Sequence, residues 1–275
     1  MNRSATNSLQ PAVYIVGAGP GDPELLTIKA QRLLAQADTI LYADSLVPQQ
    51  ILQDVRSDAE LIATANKTLE EIVPMMIERV RQGRSVVRLH SGDPSLYSAI
   101  HEQIHQLAEA EIAVEVVPGI SAYQDAAAKL QVELTVPELV QTIILTRFSG
   151  RATSVPSREA LAGLAAHQAS LCLYLSARHV EQAQQELLEH YPASTSVAIC
   201  YRLGWPDEKI RIVPLTEMAK VTEEEKLIRT TLYVISPALR NQKTTTRSQL
   251  YHPQHSHLFR PNSKTGRVHQ NDCSG

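Results

Sequence analysis

Three short strings in this chain place turn-forming residues directly after apolar runs. They are Gly17-Ala18-Gly19-Pro20-Gly21 after AVYIV, Ser91-Gly92-Asp93-Pro94 after SVVRLH, and Pro118-Gly119-Ile120-Ser121 after AVEVV. Glycines after a strand let backbone N–H groups approach a ligand, and a helix that opens there adds the positive end of its dipole. The first string is not the dinucleotide fingerprint G-x-G-x-x-G. Pro20 removes a donor that a pyrophosphate would use, so a cofactor without phosphates fits better. In the second string Asp93 has two readings: a cap for the helix that Pro94 begins, or a carboxylate facing a cationic, amine-bearing cofactor. Asp44 follows the run TILYA, where a ribose-binding acid would sit, which keeps a nicotinamide oxidoreductase as the alternative. His90 ends an apolar run without a companion at metal-ligand spacing and reads as a hydrogen-bonded turn residue.

Such turns need elements to hold them. Asp22 suits an N-cap and Pro23 a first helical position, followed by the helical spacing of LLTIKAQRLLAQA. Thr68 and Glu71 have capping-box spacing ahead of a helix that Gly83 closes, with Pro74 implying a bend or a late start. A helix is expected from Ser95 through Leu107, and another over AYQDAAAKL. Strand, glycine turn and helix thus recur three times, which predicts a mainly parallel sheet with its turns gathered on one edge. VELTVPELVQ breaks the alternation and reads as a linker. Beyond it TIILTRF, SLCLYLS, SVAICYRL, KIRIVPL and TTLYVIS read as five strands around helices near 157–167 and 178–190. That second sheet should be mixed, because Arg211 to Leu215 follow Tyr201 too closely for a helical crossover. The fold class is therefore α/β with two α/β domains, 12–137 and 138–239, between a short N-terminal segment and a tail from 240 to 275.

Bulk properties narrow the function classes. Hydrophobic residues make up 43% and charged residues 20%, ordinary for a globular chain. No run approaches the roughly 20 apolar residues of a membrane span, and Met1 to Gln10 lack an apolar signal core, so cytoplasmic residence is expected. Cys172 and Cys200 lie inside apolar runs and, with Cys273, show no metal-ligand spacing, so buried thiols and no metal centre are expected. Residues 1–239 hold twenty basic and twenty-eight acidic residues, net −8, whereas the tail carries six against one, net +5. With few apolar residues the tail reads as a flexible terminus rather than a nucleic-acid arm. Its His252, His255 and His257 leave metal capture or docking open.

The strings VYIVGAGPGDPELLT, LYADSLV, VVRLHSGDPSLYSAI, EVVPGISA, ELTVPE, QTIILTR and YRLGWPDEKI resemble the tetrapyrrole methylases over residues 12–239. The resemblance implies two α/β domains with S-adenosylmethionine in the cleft between them, a tetrapyrrole substrate and a homodimer. On matching positions Pro20, Ser91, Gly92 and Asp93 would contact the cofactor, with Ser121 and Ala122 beside it. Leu175 and the Thr230-Thr231 segment would close over its adenine side. Arg147 and Arg151 would meet substrate carboxylates, and Asp44 would face the macrocycle as the catalytic candidate. Ser98 and Asn66-Lys67 depart from the usual family residues at positions bordering the expected substrate trough. A tetrapyrrole carrier without catalysis is the third function class.

Overall fold

The computed structural model describes residues 9–148, 154–240, 252, 253, 255, 256 and 258–260. Its first sheet holds β1 (Val13–Gly17), β2 (Thr39–Tyr42), β3 (Glu60–Ala63), β4 (Val86–His90) and β5 (Val114–Val117). All pairs are parallel, in the order β3-β2-β4-β1-β5. Three helices, α1 (Ile28–Gln36), α2 (Leu69–Arg81) and α3 (Ile100–Glu109), cover its faces. Side chains alternate across a strand, so Val16, Val87 and Leu89 pack with Leu33 and Leu34 of α1. The other face sets Val13, Ile15 and Val86 against Ile72 and Met76 of α2 and Leu107 of α3. Strands covered on both faces read as the near-continuous apolar runs seen in the sequence.

Local chemistry sets the boundaries. Asp22 caps only a single 3-10 turn, Pro23–Leu25, with its Oδ1 accepting from the Glu24 N–H at 2.9 Å. The helix α1 begins after Thr27, whose hydroxyl accepts from the Ala30 N–H at 3.1 Å. The Thr68 and Glu71 capping box forms, and α2 runs on through Pro74. The helix expected from Ser95 begins instead at Ile100, because Tyr97 and Ala99 take left-handed backbone angles, φ 55° and 50°. Strand β3 at 60–63 has no counterpart in the sequence reading: it is a four-residue edge strand with half its residues exposed.

The second sheet holds β6 (Ile143–Arg147), β7 (Ser170–Tyr174), β8 (Ser196–Tyr201), β9 (Lys209–Pro214) and β10 (Thr231–Ile235), in the order β6-β7-β10-β8-β9. Only β6 and β7 pair in parallel; β8 and β9 form the antiparallel pair that their spacing implies. One face packs Leu171, Leu173, Ile199 and Tyr233 against α5 (Leu161–Ala165), α6 (Val180–Leu188) and α7 (Met218–Glu224). The other face, with Cys172, Ala198, Cys200 and Val234, meets Ala126 of α4 (Ala122–Leu130). Helix α4 follows β5 in the chain yet packs on the second sheet, so the loop before it lies where the two sheets meet. Burial pushes the Cys172 and Cys200 thiols up to about 12, which leaves them unreactive. Cys273 lies outside the described residues.

Candidate functional site

The turns after β1, β4 and β5 touch backbone to backbone. A Cβ on Gly17 would come 2.6 Å from the Gly119 nitrogen and 2.7 Å from the Gly92 oxygen, and one on Gly119 would stand against the Gly92 oxygen and the Gly17 backbone, so Gly17 and Gly119 each have no room for a side chain. Gly19 and Gly92 exchange two hydrogen bonds in an isolated antiparallel bridge, at 3.2 and 2.7 Å. Asp93 fastens this crossing. Its Oδ1 accepts from the Ser95 N–H at 2.9 Å and from the Ser95 hydroxyl, and its Oδ2 accepts from the Gly119 N–H at 2.9 Å. Burial works to raise this carboxyl, but the Ser95 hydroxyl and the N–H groups of Gly119 and Ser95 outweigh it and hold Asp93 below the usual carboxylate range. Asp93 thus caps the turn at Ser95 rather than the helix expected after Pro94, which begins at Ile100, and its other oxygen ties the loop after β4 to the loop after β5.

The second sheet supplies the opposite wall. The Tyr174 hydroxyl is 2.9 Å from the Ser121 hydroxyl and accepts from the Tyr123 N–H at 3.2 Å, joining β7 to the start of α4. Tyr97 lies against the Tyr174 ring with centroids 5.6 Å apart. At the seam the Gln50 amide donates to the carbonyls of both Gly21 and Gly204, each at 2.7 Å, and the Trp205 ring packs on Gly21. The Arg202 guanidinium lies over the Trp205 ring at 3.8 Å and pairs with Asp207 at 2.5 Å.

Between these walls lies a cavity of about 820 Å³, within the size range of small-molecule sites. Pro20, Ser91, Gly92, Asp93, Ser121, Ala122, Leu175 and Thr231 all line it. So do Tyr97, Tyr174, Arg178, Arg202, Trp205 and Arg229, to which sequence reasoning assigned no role. Five lining residues other than glycine hold positive φ: Tyr97, Ala99, Leu175, Arg202 and Thr230, between 49° and 55°. Such conformations cost of order 1–3 kcal/mol each and persist where surrounding structure imposes them, typically at ligand clamps. Among the described residues Asp93 is the only acid of the lining, against three arginines.

Other candidates fall elsewhere. Asp44 is exposed and outside the lining, its Oδ1 accepting from the Ala65 N–H at 2.9 Å, although its neighbour Ser45 and Ala65 itself do line the cavity. Arg147 is likewise outside the lining, with Nη2 donating to the Ser154 carbonyl at 3.4 Å. Arg151 and His257 lie outside the described residues. The His252 and His255 carbonyls both accept from Arg260. His90 departs from the hydrogen-bonded turn residue expected: it is a buried strand residue whose Nε2 has no partner. Burial, with the charge of Arg88 adding to it, drives its pKa down to about 3.

Residues 12–219 match the family described as Tetrapyrrole (Corrin/Porphyrin) Methylases. The chain is 44% identical over 253 residues to the cobalt-precorrin-4 C(11)-methyltransferase of Methanocaldococcus jannaschii, covering 92% of this chain and 97% of that protein. It is 43% identical to the precorrin-4 C(11)-methyltransferase of Pseudomonas aeruginosa, covering 90% of this chain and 98% of that one. Among solved structures, the X-ray structure of a cobalt precorrin-4 methyltransferase superposes with a TM-score of 0.80 at 40% identity, over 83% of this chain and 96% of the other. A uroporphyrin-III C-methyltransferase from Thermus thermophilus, solved in complex with S-adenosylhomocysteine, superposes at 0.71 with 27% identity, over 83% of this chain and 99% of that one.

Proposed function

Because the chain belongs to the tetrapyrrole methylase family, we propose that it transfers a methyl group from S-adenosylmethionine to carbon 11 of precorrin-4 or cobalt-precorrin-4, a step of cobalamin biosynthesis. The observation that carries this reading is the single cavity onto which all eight cofactor-assigned residues converge, in a chain similar along nine-tenths of its length to enzymes of that name. Nearly equal identity to a cobalt-named and a metal-free-named relative supports the macrocycle, rather than its metal, as what the site recognises. A cytoplasmic homodimer is part of the proposal; among the described residues no helix is long and apolar enough to cross a membrane.

The residues present fit the cofactor. An added Cβ on Gly92 would meet only the Ser121 Cα, at 3.9 Å, so the loop offers bare backbone to the cavity. Leu175, Leu203 and Leu232 supply an apolar wall of the kind an adenine needs, and Pro20 leaves no phosphate cradle. S-adenosylmethionine supplies an already activated methyl on a sulfonium, so the protein's work is alignment and exclusion of water, which contribute roughly 7–11 kcal/mol to such reactions. Arg178, Arg202 and Arg229 add cations from the lining to those expected of Arg147 and Arg151, for a substrate rich in carboxylates.

The test is methylation of both macrocycles by purified protein, with S-adenosylhomocysteine binding measured by calorimetry. Turnover of neither, with cofactor bound, would favour a carrier. Asp44 enters the proposal as the acid at the substrate rim. Asp44→Asn keeps an acceptor for the Ala65 N–H and removes only the charge, so we expect methylation to fall severalfold with cofactor affinity and melting temperature unchanged. Loss of stability alone would leave Asp44 a loop fastener.

A further inference from the structure

We propose that Arg88 forms a buried carboxylate subsite beneath the cavity, anchoring one acid side chain of the macrocycle; the assignment rests on the methyltransferase reading above. Arg88 sits in the middle of β4 and is 6% exposed. Among the described residues it has no acidic partner. Its Nε donates to the Gln103 carbonyl oxygen at 3.3 Å and its Nη1 to the Thr64 hydroxyl at 3.1 Å, both neutral groups. His90, two residues on and on the same strand face, is neutral and supplies no counter-charge. Burial alone pulls the guanidinium down to about 10.

A buried cation without a counter-ion is a standing cost to the fold, and the sequence keeps one in the strand that leads straight into the Ser91-Gly92-Asp93 loop. Its place relative to the cavity gives the reason. Thr64 precedes Ala65 of the lining, and the Gln103 amide donates to the carbonyls of Ser98 and Ala99, also of the lining, at 3.5 and 3.1 Å. The Nη2 atom has no hydrogen-bond partner, yet it is not among the sealed, unpartnered atoms of the interior, which are His90 Nε2 and Asp125 Oδ2. One arm of the fork is therefore unused and not fully sealed. Ala65, Ser98 and Ala99, the lining residues joined to the Thr64 and Gln103 partners of Arg88, all carry small side chains, between which the proposed carboxymethyl or carboxyethyl group enters. Arginine suits such a group because its planar fork matches a carboxylate.

Arg88→Met tests this, since methionine fills similar space without the charge. With cobalt-precorrin-4 as substrate, KM should rise on the order of ten- to a hundredfold, the effect of losing a charge-assisted bond. S-adenosylhomocysteine affinity should be unchanged and the melting temperature within a few degrees of the parent, because removing an uncompensated buried charge offsets the lost packing. Cofactor and substrate affinity falling together, or a parental KM, would overturn the assignment. Should Arg88→Met fail to fold, Arg88→Lys decides: it keeps the charge and loses the fork, so a raised KM at parental cofactor affinity supports the subsite and an unchanged KM removes it. If the parent protein itself turns over neither macrocycle, the methyltransferase reading fails rather than the subsite.

Discussion

A Gly119→Ala variant is expected to lose cofactor binding and about 3 kcal/mol of stability, the upper end of the usual cost of overpacking. The added Cβ would stand against the Gly92 carbonyl oxygen and 2.9 Å from both the Cα and the carbonyl carbon of Gly17. All three are backbone atoms, so no rotamer change relieves the clash. Relief requires β1 and the loops after β4 and β5 to separate, which breaks the Gly19–Gly92 bridge and the bond from the Gly119 N–H to Asp93. Gly163 in α5 supplies the control, because a Cβ there meets nothing within 4 Å. Gly163→Ala should be neutral or stabilising by roughly 0.5–1 kcal/mol through helix propensity. Thermal unfolding and S-adenosylhomocysteine calorimetry on both variants make the comparison. A Gly119→Ala protein that melts and binds like the parent would mean the three turns are not locked together.

This crossing also explains which parts of the molecule were legible in the sequence. Gly17, Gly92 and Gly119 each follow an apolar strand, and the signal of strand, glycine and helix is local, so the parallel sheet and its ligand edge follow from pattern alone. The same holds for the Thr68 capping box and for the antiparallel β8–β9 pair, each set by residues a few positions apart. What pattern could not supply depends on contacts between distant segments. The late start of α3 is one case: Ser95 through Ala99 carry no helix breaker beyond Pro94, but Tyr97 and Ala99 are held in left-handed angles at the cavity wall. Strand β3 is another, since Glu60 is spent on Arg79 and Arg84 at the sheet edge and the apolar run left to it, Leu61 to Ala63, is only three residues long. In the site itself, Tyr174 reaches Ser121 across 53 residues and Gln50 reaches Gly204 across 154. No spacing rule connects such pairs. Arg147, expected at the substrate, and Arg178, found on the lining, are both arginines near strand ends; only the tertiary fold distinguishes them.

The Asp93→Asn variant carries the sharper test, because the structure changes what the substitution should do. Read as a helix cap, the carboxylate exchanges for an amide at little cost. In the fold both of its oxygens accept hydrogen bonds, one from Ser95 and one from Gly119. Asparagine offers one oxygen and one donor, so either the exposed Ser95 N–H or the partly buried Gly119 N–H loses its acceptor, at about 0.5–1.5 kcal/mol for the lost bond. The melting temperature should fall by several degrees, and cofactor affinity on the order of tenfold, as the Gly119-to-Ser121 loop loses its brace. Whether the charge also acts directly on the cofactor is decided by comparing two ligands. S-adenosylmethionine carries a sulfonium and S-adenosylhomocysteine a neutral sulfur, and they are otherwise alike around the amino acid and the adenine. A brace weakens both equally, whereas a carboxylate that faces the sulfonium weakens the methyl donor more. Since both oxygens of Asp93 are committed to the protein's own donors, equal losses are expected. A loss confined to S-adenosylmethionine would place the carboxylate in direct electrostatic contact with the reacting group and overturn the bracing role.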